Sequence, residues 1–301
     1  MPGYFIRTIE EQGNTYTGSS VTVDLPVSNF ISAIWLRMSG LGGATPVTTN
    51  LMAKEINVQL VADGSKVVYN ANVRLGQQAV ASLYGITPEL STAGAAGATA
   101  LTLPIIFGRY LTDPDYILPA KLYKTLQLRV TSEVALGANT DLFSAAGCTN
   151  FIVAVDQYIS SDDPTTKKVN KQVIIESHVN AGAVGTPIID VPLQGAAARF
   201  FVHAYTTATG AAAAIVTSAF ARKNSSDRVW EGTFADSQNM YLSPSTYTPN
   251  GVLMVDLDKS GNNLNAVNLR GLGKFDLDYT EAATAGTVVT MGHFIMNASE
   301  V

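Results

Sequence analysis

The sequence predicts an all-β chain of two tandem antiparallel domains, each with about eight strands and one short helix. Three observations carry that expectation. The first is an internal echo: Asp24-Leu-Pro26 returns 166 residues later as Asp190-Val-Pro192, and the same offset carries Ile34-Trp35-Leu36 onto Phe200-Phe201-Val202. Each copy reads as a short strand closed by Asp-x-Pro, a linker and a second apolar strand. Proline cannot donate to a central ladder, so it marks a strand end, and self-similarity at a fixed offset marks a repeated unit. The second observation is period-two alternation of apolar and polar residues, with no strand–helix–strand alternation of the parallel kind. The third is length: 301 residues exceed what one core usually supports.

Only 14% of the residues are charged, against about 25% in ordinary soluble domains. Surfaces so poor in charge and rich in Ala, Thr, Val and Gly are suited to being covered by neighbours. The net charge of −5 and the absence of any basic run longer than Lys167-Lys168 argue against a nucleic-acid groove, which needs a clustered basic face. Cys148 is the sole cysteine, so no intrachain disulfide forms, and the thiol is expected to be a small buried apolar group. The first eleven residues lack the apolar core of a signal peptide, and no apolar run reaches the roughly 18 residues of a membrane span. The chain is therefore expected to be made and folded in a cytoplasm.

In chain order, the residues up to about Gly18 read as an arm, with Phe5 and Ile6 able to pack locally. Val21 to Leu25 and Phe30 to Met38 are strands, the second placing Ile34, Leu36 and Met38 on one face and Trp35 and Arg37 on the other. A soft loop follows from Gly40 to Pro46. Ile56 to Val61 alternates, Asp63-Gly64 is a hairpin signal, and Lys66 to Tyr69 returns. A helix is expected over Arg74 to Tyr84, with Ala79, Val80, Leu83 and Tyr84 on one face, Gly85 as a left-handed cap and Pro88 as the stop. Between Glu89 and Ala100 the Ala/Gly-rich sequence reads as an exposed loop. Leu101 to Val130 is the most strand-dense block, and Phe151 to Ile159 closes the domain after a loop from Gly137 to Gly147.

The second half repeats the pattern in shorter form. A weaker helix spans Ala235 to Leu242 before Pro244, and strands are expected at Gly251 to Leu257, Phe275 to Tyr279 and Val288 to Met296. In the middle one, Phe275, Leu277 and Tyr279 alternate with Asp276, Asp278 and Thr280. The polar, proline-bearing stretch from Ser160 to Lys168 is the linker, giving domains 1–164 and 165–301. Eight antiparallel strands in two facing sheets make a jelly roll, and two in tandem make a double jelly roll.

With the repeated Asp-x-Pro strand pair, Tyr84-Gly85-Ile-Thr-Pro88 after the helix, and the block from Leu103-Pro104 to Leu118-Pro119, the sequence resembles the double jelly-roll major capsid proteins of icosahedral viruses with an internal membrane. Tectiviruses, corticoviruses, archaeal turriviruses and lipid-containing flavobacterial phages have such proteins. The resemblance spans about Thr17 to Asn297. It implies a structural subunit whose homotrimer is a pseudo-hexagonal capsomer of the virion shell, assembled in the host cytoplasm. The implied partners are the chain itself, penton and minor capsid proteins, and the inner membrane through peripheral contact, with no direct contact to nucleic acid. By the same analogy the Ala/Gly-rich loop and the loop from Thr206 to Ala214 lie at barrel ends.

The chemistry-bearing residues give no catalytic, cofactor or metal centre. His178, His203 and His293 fall singly on different elements, without metal-ligand spacing. His203 occupies the position that matches Arg37. Nucleophile-elbow, Walker and dinucleotide-binding motifs are absent. Asp113-Pro-Asp115 reads as a turn. Asp256-Leu-Asp258-Lys-Ser-Gly261-Asn262 opens like a calcium loop, but Val267 stands where the twelfth-position Glu belongs and strands flank it, so a strand-end turn is the expected reading. Two rival functions remain: a sugar-binding spike or adhesin, which calls for clustered exposed aromatics, and a double jelly-roll amidase, which calls for an acidic pair. Trp35 and Trp230 lie in separate halves, and the carboxylates are scattered through turns and outward strand positions.

Overall fold

The computed structural model describes residues 3–42, 56–92, 97–132, 143, 146–206, 213–241, 252–258 and 265–301. Two compact units divide the chain: Met1–Asn170 together with Asn297–Val301, and Lys171–Met296.

The first unit contains β1 (Tyr4–Tyr16), β2 (Ser20–Asp24), β3 (Phe30–Leu41), β4 (Ile56–Ala62) and β5 (Lys66–Asn72). After α1 (Val73–Tyr84) come β6 (Leu90–Thr92), β7 (Ala98–Ile106), β8 (Leu126–Ser132) and β9 (Cys148–Ile159). One sheet runs β1-β9-β3-β7-β6, and the other has neighbours β5-β4-β8-β2. The second unit contains β10 (Lys168–Ala181), β11 (Ile188–Asp190), β12 (Ala196–Tyr205), β13 (Val216–Lys223) and β14 (Asp227–Thr233). After α2 (Phe234–Tyr241) come β15 (Val252–Asp256), β16 (Val267–Asn268), β17 (Phe275–Glu281) and β18 (Ala285–Asn297). Its neighbours run β10-β18-β12-β15, with β16 on β12, and β11-β17-β13-β14.

Set side by side, the two orders are the same. Apart from the short β6 and β16, β1-β9-β3-β7 corresponds to β10-β18-β12-β15, and β5-β4-β8-β2 corresponds to β14-β13-β17-β11. In both units a helix follows directly on the fifth of these strands. Two eight-stranded antiparallel jelly rolls in tandem therefore make up the fold. The echo at Asp24 and Asp190 marks the ends of the equivalent strands β2 and β11.

The alternation read in the sequence sets which side chains enter the core. Ile34, Leu36 and Met38 of β3 are buried while Trp35 and Arg37 are half-exposed, and β4 buries Ile56, Val58 and Leu60. Fully burying each such side chain stabilises the fold by about 1.5–3 kcal/mol. The β4–β5 hairpin turns on Asp63 (φ 49°) and Gly64 (φ 78°), the consecutive positive φ values of a two-residue turn that follows the strand twist. Its counterpart between β13 and β14 uses Asn224 (φ 51°) and Ser225 (φ 66°), a turn the sequence does not announce because serine seldom adopts that conformation. Asn72 caps α1 by accepting from the Leu75 amide at 2.8 Å, and Gly85, at φ 64°, ends it with its amide on the Ala81 carbonyl.

Four expectations are corrected. The N-terminal arm is a thirteen-residue strand: β1 pairs antiparallel with β9 from Tyr4 opposite Ile159 to Tyr16 opposite Cys148, and it is the first strand of its jelly roll. It eluded the sequence because its side chains are not buried, so it lacks the apolar alternation that reveals the other strands. β3 runs on to Leu41, into what reads as the Gly40 loop. The exposed Ala/Gly-rich loop is in part β6 and the start of β7, paired Leu90 to Leu101 and Thr92 to Thr99. Within the strand-dense block, Phe107 to Thr125 forms no strand; it crosses by single bridges, Ile31 with Leu118 and Tyr116 with Lys168. The loops at 43–46, 93–96, 207–212 and most of 137–147 lie outside the described residues, as does the stretch around Pro244.

α1 differs in detail from the predicted amphipathic face. Ala79 and Val80 are buried, but Leu83 and Tyr84 are only half-buried, whereas every residue from Val73 to Val80 is buried, Arg74, Gln77 and Gln78 included. Its first two turns are thus enclosed on all sides.

Candidate functional site: sheet edges and buried polar clusters

On the outer face of the first unit, Arg7 of β1 makes a two-pronged bridge to Asp156 of β9, at 2.5 and 2.7 Å, and lies over the ring of Trp35 on β3. The Trp35 indole N–H donates to the same carboxylate at 2.7 Å. Two residues along β3, Arg37 grips Glu89, which also accepts from the Thr102 hydroxyl. These pairs hold Glu89 below the usual carboxylate range, chiefly through the Arg37 hydrogen bonds. The same unit exposes Tyr4, Phe5 and Ile9 along β1.

The Asp113 turn is a closed polar knot. Its carboxylate, buried, accepts from Arg109 Nε at 2.6 Å and from the amides of Arg109, Asp115 and Tyr116. Burial alone would push Asp113 up; the hydrogen bonds from Arg109 and the amides outweigh it and hold it low. Arg109 in turn stacks 4.4 Å from the Tyr116 ring centre. The turn reading of Asp113 and Asp115 therefore holds, with Asp113 as its organiser.

Near the linker, Lys121 and Lys167 both lie over Phe30, at 4.1 and 5.6 Å. Lys121 donates to the Asp162 carbonyl, and Lys167 pairs with the Asp162 carboxylate at 2.7 Å. Lys167 also accepts, through its carbonyl, the Ala298 amide, and Lys66 Nζ reaches the Val301 carbonyl. The start of β1, the linker and the last residues of the chain thus gather at one end of this unit, where lysines and carboxylates are interleaved.

In the second unit the calcium-like segment is engaged otherwise. Arg199 of β12, buried, contacts Asp256 at 2.9 Å and Asp258 at 3.5 Å, and donates to the Asp258 carbonyl. Asp258 also accepts from the Asn265 amide. Both carboxylates that begin the calcium-like pattern therefore face a guanidinium, and residues 259–264, which hold the remaining ligand positions, lie outside the described residues. The sequence signal for Arg199 was a lone cation inside the apolar run Ala196 to Val202, which demands a buried partner. Burial pushes Asp256 above its ordinary range against the pull of Arg199.

His293 of β18 stands opposite Arg199 in the ladder and is buried; neither ring nitrogen has a hydrogen-bond partner among the described residues. His203, on β12, is buried beside the Tyr205 ring. His178 is half-buried and bonded to Glu281 at 2.6 Å, and Asn180 donates to the other oxygen of that carboxylate while its own Oδ1 accepts the Gly182 and Ala183 amides. The three histidines thus lie on three different strands, β10, β12 and β18. Cys148 is buried, with its thiol 3.6 Å from the Ser39 carbonyl, and burial pushes it up.

One placement needs correction. Asp276 and Asp278 alternate with the core residues of β17 as expected, yet they are buried rather than solvated. Lys274, just ahead of β17, covers Asp276 at 3.1 Å, and Arg222 of β13 covers Asp278 at 2.5 Å. Among the described residues no group of three or more His, Cys, Asp or Glu side chains is placed to hold a metal ion, and no helix is long and apolar enough to cross a membrane.

No model of a protein family and no curated protein matches this sequence. Solved structures do. The crystal structure of the STIV MCP aligns over 98% of this chain and 97% of its own, with a TM-score of 0.73 at 11% identity. The PBCV-1 virus capsid aligns over 99% and 95%, with a TM-score of 0.65 at 13% identity. The major capsid protein P2 of bacteriophage PM2 aligns over 97% and 98%, with a TM-score of 0.60 at 14% identity. At such identities the likeness is one of fold, and it covers both jelly rolls.

Proposed function

We propose that this chain is a viral major capsid protein: a structural subunit of an icosahedral shell, working as a homotrimeric pseudo-hexagonal capsomer around an internal membrane, with no catalytic centre. The observation that carries the reading is the repeated jelly-roll topology, which runs through the whole chain and is shared end to end with solved viral capsid proteins. Two similar barrels per chain and three chains per block make six similar bodies around a true three-fold axis, a shape that tiles a hexagonal lattice and leaves the five-fold positions to penton proteins. The low charge fraction supports lateral coverage by neighbours.

In this reading the protein resides in the virion after assembly in the host cytoplasm, with minor capsid proteins as further partners. Membrane contact is peripheral, and the end of the first unit where Tyr4, Lys121 and Val301 gather is our candidate for it. Lys121 and Lys167 there both engage Asp162, through its carbonyl and its carboxylate, which tempers attraction to anionic lipid.

Native mass by light scattering coupled to gel filtration, over a range of concentrations, tests the proposal. A persistent species of three times the 31.8 kDa chain mass, or larger sheets, is the expected result. A protein that stays monomeric at high concentration refutes it.

A further inference from the structure

Two long strands end their sheets without a neighbour on the outer side among the described residues: β1 in the first unit and β14 in the second. A bare edge is a template for another strand, and proteins that must stay apart blunt it with bulges, prolines or charges. β1 is blunted over only half its length. Its register shifts against β9 all lie beyond Ile9, whereas Tyr4 to Ile9 pairs without interruption. That regular stretch leaves Tyr4 58%, Phe5 37% and Ile9 55% exposed, three of the ten large apolar side chains exposed among the described residues. Scattered apolar residues need no explanation, but these three line one open edge within six positions, Phe5 and Ile9 on one face of the strand and Tyr4 on the other.

β14 is seven residues long, close to the six of the regular stretch, and its register against β13 shifts only near its start. Tyr4 to Ile9 carries one charge, Arg7, while β14 carries Asp227 and Glu231 against Arg228, an excess of one acid. Arg7 is already bridged to Asp156 and Glu231 to Arg228, so the pairing rests on two bare edges of matched length, while the excess acid Asp227 disfavours two β14 edges meeting.

We propose, resting on the self-assembly reading above, that the Tyr4–Ile9 edge of β1 docks on the β14 edge of a second copy and extends its four-stranded sheet. The contact is head-to-tail, so each copy has one donor edge and one acceptor edge, and a ring of three chains uses all of them. The three apolar side chains offer on the order of 300 Å² at ordinary side-chain areas, against about 800 Å² per partner in a stable binary interface. A single contact is therefore too small to hold a dimer, and it acts as one of several joints in a closed ring.

Variants with one added cysteine test this, since buried Cys148 leaves the parent chain silent to mild oxidation. Ile9→Cys or Tyr4→Cys is mixed in equal amounts with Asp227→Cys or Glu231→Cys, and oxidised with a copper catalyst in air. Covalent dimers are expected in at least one mixed pair and in no variant alone. Alongside, Tyr4→Asp with Ile9→Asp, the two more exposed positions, is expected to raise the concentration for half-assembly at least tenfold, with the thermal midpoint of the monomer nearly unchanged. If the parent chain assembles but no mixed pair cross-links, or Ile9→Cys cross-links with itself, the β1–β14 contact is wrong while the capsid reading stands. A parent chain that does not assemble removes both.

Discussion

His293 offers the sharpest physical test of the second jelly roll. The imidazole is buried opposite Arg199, and its pKa falls from 6.5 to about 3, first because burial disfavours the cation and then because Arg199 repels it; Asp258 pulls the other way. Between these two values the unfolded chain takes up a proton at this site and the native chain does not, so native stability falls as the pH drops below 6.5. Linkage over that interval predicts a loss of about 2 kcal/mol at pH 5 relative to pH 7.5, approaching several kcal/mol near pH 3. For a unit of this size 2 kcal/mol corresponds to a fall of roughly 6–10 °C in the unfolding midpoint.

The assay is thermal unfolding at both pH values for the parent and for His293→Leu. The leucine fills a similar volume and removes two ring nitrogens that have no hydrogen-bond partner among the described residues, so at pH 7.5 the variant should match or exceed the parent. Asp256 titrates in the opposite sense, its raised pKa favouring the native state on acidification, but it does so in both proteins and cancels in the comparison. The variant should therefore lose about 2 kcal/mol less than the parent between pH 7.5 and 5. Equal acid sensitivity of the two proteins refutes the argument.

Asp113→Ala removes the acceptor of Arg109 and of three amides and should cost about 3 kcal/mol, read by chemical denaturation, because buried donors lose their partner. As the carboxyl is held low in the native state, that contribution is full above its unfolded pKa and disappears as the pH falls through the lower native value. Gly195→Ala should destabilise by about 2–4 kcal/mol: the residue sits at φ 60°, and an added Cβ presses on the Ile295 carbonyl. Tyr84→Phe removes the hydroxyl donated to the Gly108 carbonyl at 2.8 Å and should cost about 1 kcal/mol, measured the same way. Arg7→Ala, in contrast, breaks a bridge whose cation is half exposed, and a change within about 1 kcal/mol is expected in the monomer.

What the sequence revealed follows from where apolar side chains had to go. β3, β4 and β8 bury alternate residues over much of their length, so their period of two is visible, and the Asp63-Gly64 turn and the Gly85 cap carry residues that suit positive φ. β1 was invisible because its stability comes from the ladder to β9, which leaves no hydrophobic signature. Asp276 and Asp278 were misplaced because alternation tells which face a side chain takes but not what lies across that face; here Arg222 and Lys274 do. The Arg199 cluster was half legible: the carboxylates stood out by their spacing, yet the cation joining them lies 57 residues before Asp256, beyond any local pattern.

The two jelly rolls share one topology but have parted in what they do with their outer faces. In the first, β3 leaves Trp35 and Arg37 half exposed, held by Asp156 and Glu89 on the surface. At the equivalent positions of the second, Phe201 and His203 are buried, and Arg199 replaces Ala33 with a cation that needs two acids. Exposed ion pairs tolerate water and cost little to rearrange, whereas a buried arginine fixes its surroundings, since either partner left alone is strongly destabilising. The two barrels are therefore alike in topology and unlike in surface. On the capsomer reading the block is three-fold because three chains each supply two barrels, and this difference in surface would keep the two kinds of barrel from exchanging places around the ring.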